Sequence, residues 1–448
     1  MNLKNYLKKK LDLLYAWAIF DWANSAYALV ISSAIFPIFY EKVTQTADGN
    51  DKLIFLGREF LNTELYSYAL ALSFLLVALL SPLLSSIADY TGNKKIFMKF
   101  FTYLGAFSTM MLFFFKDKET VHIGLIFSVL ASVGFWGGLV FYNAFLPEIV
   151  PKEKQDFASA LGFTFGYIGS VSLMLFNLSM IIFPHWYGIQ DPTLPSRISF
   201  LSVGIWWLVF AQIPFAVLPD NVYDKPTPIK KSVLFYGYKR LFRVLKEIKE
   251  KPYLRRFLYA FFLYSYAAQT IFYVAGIFGS KELGLPASKL IWTILLVQLV
   301  GIAGAMGFAK LSGKIGNIRA LIIVLLIWVF ITIMAYFMDK NDPNVEYRFY
   351  FLGALVGLVM GSVQTLSRSS YSKMLTEDPG VHTTYFSFYD VFEKIAIVSG
   401  TFAFGYLEWL TGSMKTAILT MSVFFAVSMF ILFPLQKYWR SITGKNLT

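Results

Sequence analysis

The chain alternates long apolar runs with short polar joints, and the runs set its plan. Twelve of them reach the ~19 residues that let a helix, rising ~1.5 Å per residue, cross a hydrocarbon core of ~30 Å. They lie near 14–40, 62–88, 96–115, 121–146, 157–183, 199–218, 255–279, 287–309, 319–338, 348–371, 383–407 and 415–436. One long polar segment, Pro219 to Arg256, falls between the sixth and seventh runs. It opens with Asp224-Lys-Pro226-Thr-Pro228, which cannot be helical. A periodic stretch comes next, with Leu234, Tyr238, Leu241, Phe242, Leu245 and Ile248 on one face and Lys239, Arg240, Arg243, Lys246 and Lys249 around the other. That pattern predicts an interfacial helix against acidic headgroups. The plan is thus an all-α integral membrane protein of about twelve transmembrane helices. A six-helix bundle over 1–218 is joined to a second over 255–448 by a linker at 219–254.

Composition agrees. Charged residues make up 15% of the 448 positions, against about 25% in soluble domains, and hydrophobic residues make up 57%. The first run is too long, and lacks the small-residue site, to be a cleavable signal. With no cysteine there is no disulfide, thiolate metal site or cysteine nucleophile. The net charge of +13 suggests nucleic acid less than it suggests cations held on the cytoplasmic side. Lys4, Lys8, Lys9 and Lys10 precede the first run, and Lys94, Lys95 and Lys99 follow the second. Lys152 and Lys154 follow the fourth; Lys310, Lys314 and Arg319 surround the joint after the eighth; Lys437, Arg440 and Lys445 close the chain. The joint from Glu41 to Glu64 is net acidic. Both termini are therefore expected in the cytoplasm, with the protein in the cell's inner membrane.

Against this apolar background the ionisable positions stand out. A carboxylate in the hydrocarbon region costs on the order of 3 kcal/mol or more, so it faces protein or a water-filled cavity. Asp21 is such a residue, and helical spacing places it with Asn24, Ala28 and Ser32 on one small or polar face. Gln364 and Arg368 share a face, as do Asp390 and Lys394; the latter two can pair, leaving Glu393 to find another partner. Counted from their helix ends, Asp21, Arg368 and Asp390 fall in the inner half of the membrane, as one charged cluster that opens and closes an inner gate. A purely structural Lys–Asp pair stays open as the plainer reading. Tyr142, Asn143 and Gln269 are neutral candidates for substrate contact. Gly134/Gly138, Gly162/Gly166 and Gly353/Gly357/Gly361 have the spacing of close helix packing. His122, His185 and His382 fall near run ends and read as surface residues, so no metal site is expected. Gly313-Lys314 lacks the hydroxyl residue and glycine spacing of a P-loop, which leaves an ion or substrate gradient to drive any transport.

The halves repeat. Ser85-Ser-Ile-Ala-Asp89-Tyr-Thr-Gly92-Asn93-Lys-Lys95 aligns with Ala309-Lys-Leu-Ser-Gly313-Lys-Ile-Gly316-Asn317-Ile-Arg319, and the same offset brings Gly137 onto Gly361. The first copy resembles the motif Gly-x-x-x-Asp-Arg-x-Gly-Arg-Lys between the second and third helices of the major facilitator superfamily. Asp89, Gly92, Lys94 and Lys95 match; Ser85, Tyr90 and Asn93 depart, and the second copy has Gly313 in place of the aspartate. The resemblance implies a gating role for this motif, two pseudo-symmetric bundles, and a cavity lined by the first, fourth, seventh and tenth spans. More narrowly, Phe20-Asp21-Trp22-Ala23-Asn24-Ser25-Ala26-Tyr27 is similar to the signature of the vacuole-effluxer branch, relatives of the autophagy-related vacuolar amino-acid exporter. Phe141-Tyr142-Asn143-Ala-Phe-Leu146-Pro147-Glu148, Gly361-Ser-Val-Gln364-Thr-Leu-Ser367-Arg368-Ser369 and Phe388-Tyr389-Asp390-Val-Phe-Glu393-Lys394 match that branch too.

The expected protein is a secondary transporter exporting small polar metabolites, amino acids first, by alternating access with protons as coupling ion. Its candidate substrate and coupling residues are Asp21, Asn24, Tyr27, Tyr142, Asn143, Gln269, Gln364, Arg368, Asp390, Glu393 and Lys394. Its partners are a small-molecule substrate, a proton or other coupling ion and the lipid bilayer, with no nucleic acid, cofactor or metal. A sugar or drug-like substrate, or a non-transporting sensor, are the alternatives. A membrane enzyme would need a nucleophile–base or metal set, which the sequence lacks.

Overall fold

The computed structural model describes residues 11–45, 52–220 and 233–443. Lys4, Lys8, Lys9, Lys10, the Asp224–Pro228 joint and Lys445 lie outside the described residues. The chain is helical almost throughout: α1 (Leu13–Thr44), α2 (Asn62–Thr91), α3 (Lys94–Met111), α4 (Val121–Asn143), α5 (Gln155–Ile182) and α6 (Leu194–Val217) make the first set. Helix α7 (Val233–Glu250) occupies the polar segment. The second set is α8 (Pro252–Ile277), α9 (Ala287–Ile315), α10 (Asn317–Tyr336), α11 (Val345–Met374), α12 (His382–Thr411) and α13 (Met414–Leu432), and a short α14 (Leu435–Thr443) closes it. Eleven helices among the described residues are long and apolar enough to cross a membrane. Helix α12 has ample length, at 30 residues, but Asp390, Glu393 and Lys394 dilute its apolar content.

The pairings of the two sets correspond. Helix α1 packs on α6 as α8 packs on α13, α2 on α4 as α9 on α11, α3 on α4 as α10 on α11, and α3 on α6 as α10 on α13. The internal repeat is thus a repeat of packing as well as of motif, and the architecture is the major facilitator fold. By contacts the chain resolves into two compact units. One holds Met1–Ala144 and Phe165–Tyr238; the other holds Phe145–Thr164 and Lys239–Thr448. Helix α5 therefore begins in the second unit and ends in the first.

Three local features depart from a simple hydropathy reading. Helix α1 widens to a π-helix over Tyr27–Ile35, where Ser33 Oγ donates to the carbonyl of Ala28, five residues back, at 2.8 Å. The wider turn moves Ala28 and Ser32 off the expected face: both are half-buried, whereas Asp21 and Asn24 are buried. A β-hairpin, Lys52–Phe55 paired with Arg58–Leu61, sits in the first long joint. Its two-residue turn puts both Leu56 (φ 50°) and Gly57 (φ 77°) in the left-handed region, as a tight hairpin demands. Lastly, His382 is buried rather than on the surface, while His122 and His185 are exposed as expected.

Glycine sets the closest helix contacts. Gly357 and Gly361 of α11 lie against the backbone carbonyls of Val297 and Gly301 in α9, and Gly134 of α4 lies against the backbone of Gly105 in α3. A side chain at Gly357 has nowhere to go except by parting the two helices. Gly357→Val is expected to cost about 1–3 kcal/mol or more, read as a fall in the thermal unfolding midpoint in detergent. Gly307→Val, on the same pair of helices but facing open space, is expected to leave that midpoint unchanged.

Candidate functional site

In the first unit, the Asp21 carboxylate is buried and accepts a hydrogen bond from the Tyr142 hydroxyl at 2.7 Å. The Tyr142 ring is clamped between Trp17 (centroids 4.4 Å apart) and Phe20 (4.8 Å), and Trp17 Nε1 donates to its carbonyl at 3.0 Å. Two of the predicted residues, on α1 and α4, are thus brought together by aromatic stacking that leaves the tyrosine one position. Asn24, one turn on and 1% exposed, has no hydrogen-bond partner for either amide atom. A buried, unsatisfied amide costs about 1–3 kcal/mol. Tyr27 packs on Phe135 and Trp207, and Asn143 is half-buried at the end of α4.

The motif copy in this unit sends two lysines to neighbouring helix ends. Gly92 (φ 71°) ends α2 in the left-handed conformation, and Lys94 and Lys95 turn inward. Lys94 Nζ donates to the Ala144 carbonyl at 3.1 Å; Lys95 Nζ donates to the Leu218 carbonyl at 2.6 Å and pairs with Asp220 at 2.8 Å. Both cations sit on carbonyls just beyond the C-terminal ends of α4 and α6, where the helix dipole is negative. Asp89 is 3% exposed.

The second unit holds a partly open pocket between α8, α11 and α12, about 240 Å³ of non-atom space with open solvent included, its apolar wall formed by Phe261, Ala268, Met360 and Val363. Gln269, Gln364 and Glu393 line it, together with Tyr264, Ser265, Ser367 and Tyr389. Gln269 Nε2 donates to Glu393 at 3.3 Å, and the Tyr264 hydroxyl and Ser367 Oγ are 2.7 Å apart. Behind the pocket, the buried Lys394 ammonium lies 2.9 Å from Asp390 and 3.1 Å from Glu393. The expected Asp390–Lys394 pair forms, and Lys394 also serves Glu393. Two carboxylates thus share one cation, and Asp390 Oδ2 is left without a partner. The sequence reading misses Tyr264, Ser265 and Ser367. Two of them repeat the faces of their neighbours: Ser265 is four residues before Gln269, and Ser367 three after Gln364.

Arg368 does not join Asp390. Its Nε and Nη2 donate to Ser159 Oγ and the Ser159 carbonyl at 2.9 and 2.7 Å, and its guanidinium lies 4.0 Å over the Phe163 ring. Further links run along the same stretch of chain. Asp156 accepts from Lys373 (2.6 Å), Asn317 (2.6 Å) and Ser312 (3.0 Å); Lys152 lies 3.8 Å from Glu377; Glu148 lies 3.2 Å from His382. Positions 148, 152, 156 and 159 thus meet 382, 377, 373 and 368 in reverse order. This is a four-rung antiparallel ladder within the second unit. Its centre is the second motif copy, for Ser312 and Asn317 flank Gly313. Asp156, from α5, is the carboxylate that Ser312 and Asn317 share, while a side chain at Gly313 itself would face open space.

A fold of two repeated six-helix sets, with carboxylates and amides held inside its helices, defines a transporter of the major facilitator type. Solved structures agree on the fold. The fucose transporter FucP in its outward conformation superposes with a TM-score of 0.67 at 16% identity, over 94% of this chain and 97% of that one. A bacterial homologue of the iron transporter ferroportin gives 0.65 at 14% identity, over 98% and 100%. Residues 9–158 and 151–438 match the family described as "Vacuole effluxer Atg22 like", and the chain belongs to it. The "Uncharacterized MFS-type transporter YxiO" of Bacillus subtilis is 30% identical over 93% of each chain. Autophagy-related protein 22-1 of Penicillium rubens is 23% identical over 88% of this chain and 78% of its own length.

The ladder yields a double-mutant test. Asp156 and Lys373 are both nearly buried, with side chains 8% and 6% exposed. Asp156→Asn or Lys373→Gln alone leaves its partner's charge uncompensated and is expected to cost about 3–5 kcal/mol. The double variant is expected to be milder than the sum by at least about 1 kcal/mol, measured by unfolding in detergent. Strict additivity would mean that the pair is not coupled.

Proposed function

We propose that this transporter exports small polar metabolites, amino acids first, by alternating access in the cell's inner membrane with protons as the coupling ion. The observation that carries this reading is the pocket of α8, α11 and α12. It offers hydroxyls, two carboxamides and the Glu393 carboxylate, a set that suits an ammonium group and its polar neighbours. Glu393 is the coupling carboxylate: it is partly exposed to the pocket and held by Gln269 and Lys394. Asp390 and Lys394 set its charge balance, and Gln364 contacts substrate. Asp21, steadied by Tyr142, is a second proton carrier, with Asn24, Tyr27 and Asn143 as polar neighbours. Arg368 meets a substrate carboxylate only in a state in which it has left Ser159. Membership of a family of effluxers favours export.

Two bundles, 1–218 and 255–448, rock about the linker at 219–254, with both termini and that linker in the cytoplasm. Opening the cytoplasmic side then breaks the ladder of 148–159 with 368–382, because its two sides come from different halves of the sequence although they pack within one unit here. The motif residues Asp89, Gly92, Lys94 and Lys95 hold the loop between α2 and α3 through that change. A neutral polyol also suits the hydroxyls and carboxamides of the pocket, and Glu393 separates the two readings, since only an ammonium needs its charge.

Reconstituted in liposomes under an imposed pH gradient, the protein is expected to move labelled amino acids. Glu393→Gln should abolish gradient-driven accumulation, and Asp21→Asn should reduce it while sparing exchange of substrate for substrate. If no amino acid moves in either direction, or if Glu393→Gln keeps the same proton dependence, the proposal fails.

Orientation has a separate test that uses the absence of native cysteines. A cysteine at Glu59, in the hairpin, is expected to react with an impermeant thiol reagent added to cells with a permeabilised outer barrier. One at Lys154 is expected to stay unlabelled until the inner membrane is opened.

A further inference from the structure

We propose that the outward face of α7 is a binding surface for anionic membrane lipid. The helix joins the two sets of spans, and its last residue, Glu250, stands two positions before Pro252, where α8 begins. Its C-terminal turn is thereby kept at the level of the headgroups. Its rotation is fixed by what its inner side holds. Tyr236 stacks on Tyr90 with ring centroids 5.0 Å apart; Val244 and Ile248 are buried; Glu247 accepts from the Tyr385 hydroxyl at 2.6 Å and lies 3.8 Å from Lys251. What remains outward is an aromatic stripe, Phe235, Tyr238 and Phe242, each more than half exposed, at the i, i+3, i+7 spacing of one face. Exposed beside it are Lys239, Arg243, Lys246 and Lys249, against the single exposed carboxylate of Glu250, which lies 3.7 Å from Lys246.

The two chemistries fit one partner. Aromatic rings settle at the boundary between acyl chains and headgroups, and lysine and arginine stems run along that boundary with their charges toward phosphate. Each such cation adds attraction to a negative leaflet that fades within about 10 Å at ordinary salt. An acidic soluble protein would match the cations but leave three adjacent aromatic side chains to be covered by water or by a groove of its own. Lipid binding at this face is independent of what the protein transports.

The test uses the full chain in liposomes and needs no flux. A single cysteine at Phe242 carries an environment-sensitive dye, and the bilayers are phosphatidylcholine with a minor share of brominated phosphatidylglycerol or, in parallel, brominated phosphatidylcholine. Bromine quenches the dye only on contact, so quenching reports which lipid sits beside α7. At low salt the anionic lipid is expected to be enriched about tenfold or more over the zwitterionic one. High salt, and the combined Lys239→Gln, Arg243→Gln and Lys246→Gln variant, should each remove the preference while quenching by the neutral lipid persists. All the substituted side chains are exposed, so folding is not at issue, and the unfolding midpoint should match that of the parent. Equal quenching by the two lipids, a preference that survives the triple variant, or a dye that stays in water and is quenched by neither would each overturn the proposal. The last result would point to a soluble acidic partner.

Discussion

A carboxylate buried among helices must be met by enough donors to replace the water it has lost, and around Asp156 that requirement organises a whole end of the second unit. An ammonium, an amide and a hydroxyl converge on its two oxygens from α11, α10 and α9. Each donor is itself held: Asn317 accepts from Lys373 at 3.2 Å and donates to Ser369, and the Trp439 ring of α14 lies 5.8 Å from the Lys373 ammonium. Remove the carboxylate and three donors on three helices lose their common acceptor. The rungs on either side, Ser159 with Arg368 and Glu148 with His382, follow from the antiparallel course that this central contact sets.

The two carboxylate centres deeper in the helices answer the same requirement differently. Asp21 accepts from a tyrosine hydroxyl whose ring is held between Trp17 and Phe20, so that donor is aimed by packing. Asp390 and Glu393 have a cation, but one between two. The first arrangement keeps a carboxylate in place; the second sets two carboxylates and one cation beside a partly open pocket. That difference is why the pocket of the second unit, rather than the Asp21–Tyr142 pair, carries the functional reading.

The spans were legible because a membrane helix states itself locally: about twenty apolar residues in a row need no partner to be recognised. Pairs within one helix were legible too, as with Asp390 and Lys394. The ladder was not. Its rungs join residues more than two hundred positions apart, and Asp156 looks in sequence like an ordinary acidic residue in the first turn of a helix. The expectation that Asp21, Arg368 and Asp390 form a single cluster failed at Arg368 and Asp390 for the same reason: depth in the membrane can be counted from a helix end, but direction around it depends on neighbours. The π-helix of α1 shows the limit inside a single element, since one wider turn voids the 3.6-residue count beyond it. The hairpin at 52–61 is too short for any window tuned to spans.

Asp156 carries a consequence for the chain as a heritable object. The second motif copy has glycine at its acidic position, and a side chain built there would face open space. The carboxylate on which Ser312, Asn317 and Lys373 converge is encoded about 160 codons earlier, before the linker and not after it. The two halves are therefore not interchangeable parts: a C-terminal half made as its own polypeptide would contain every residue of its motif and still lack the one acid that its neighbours close around.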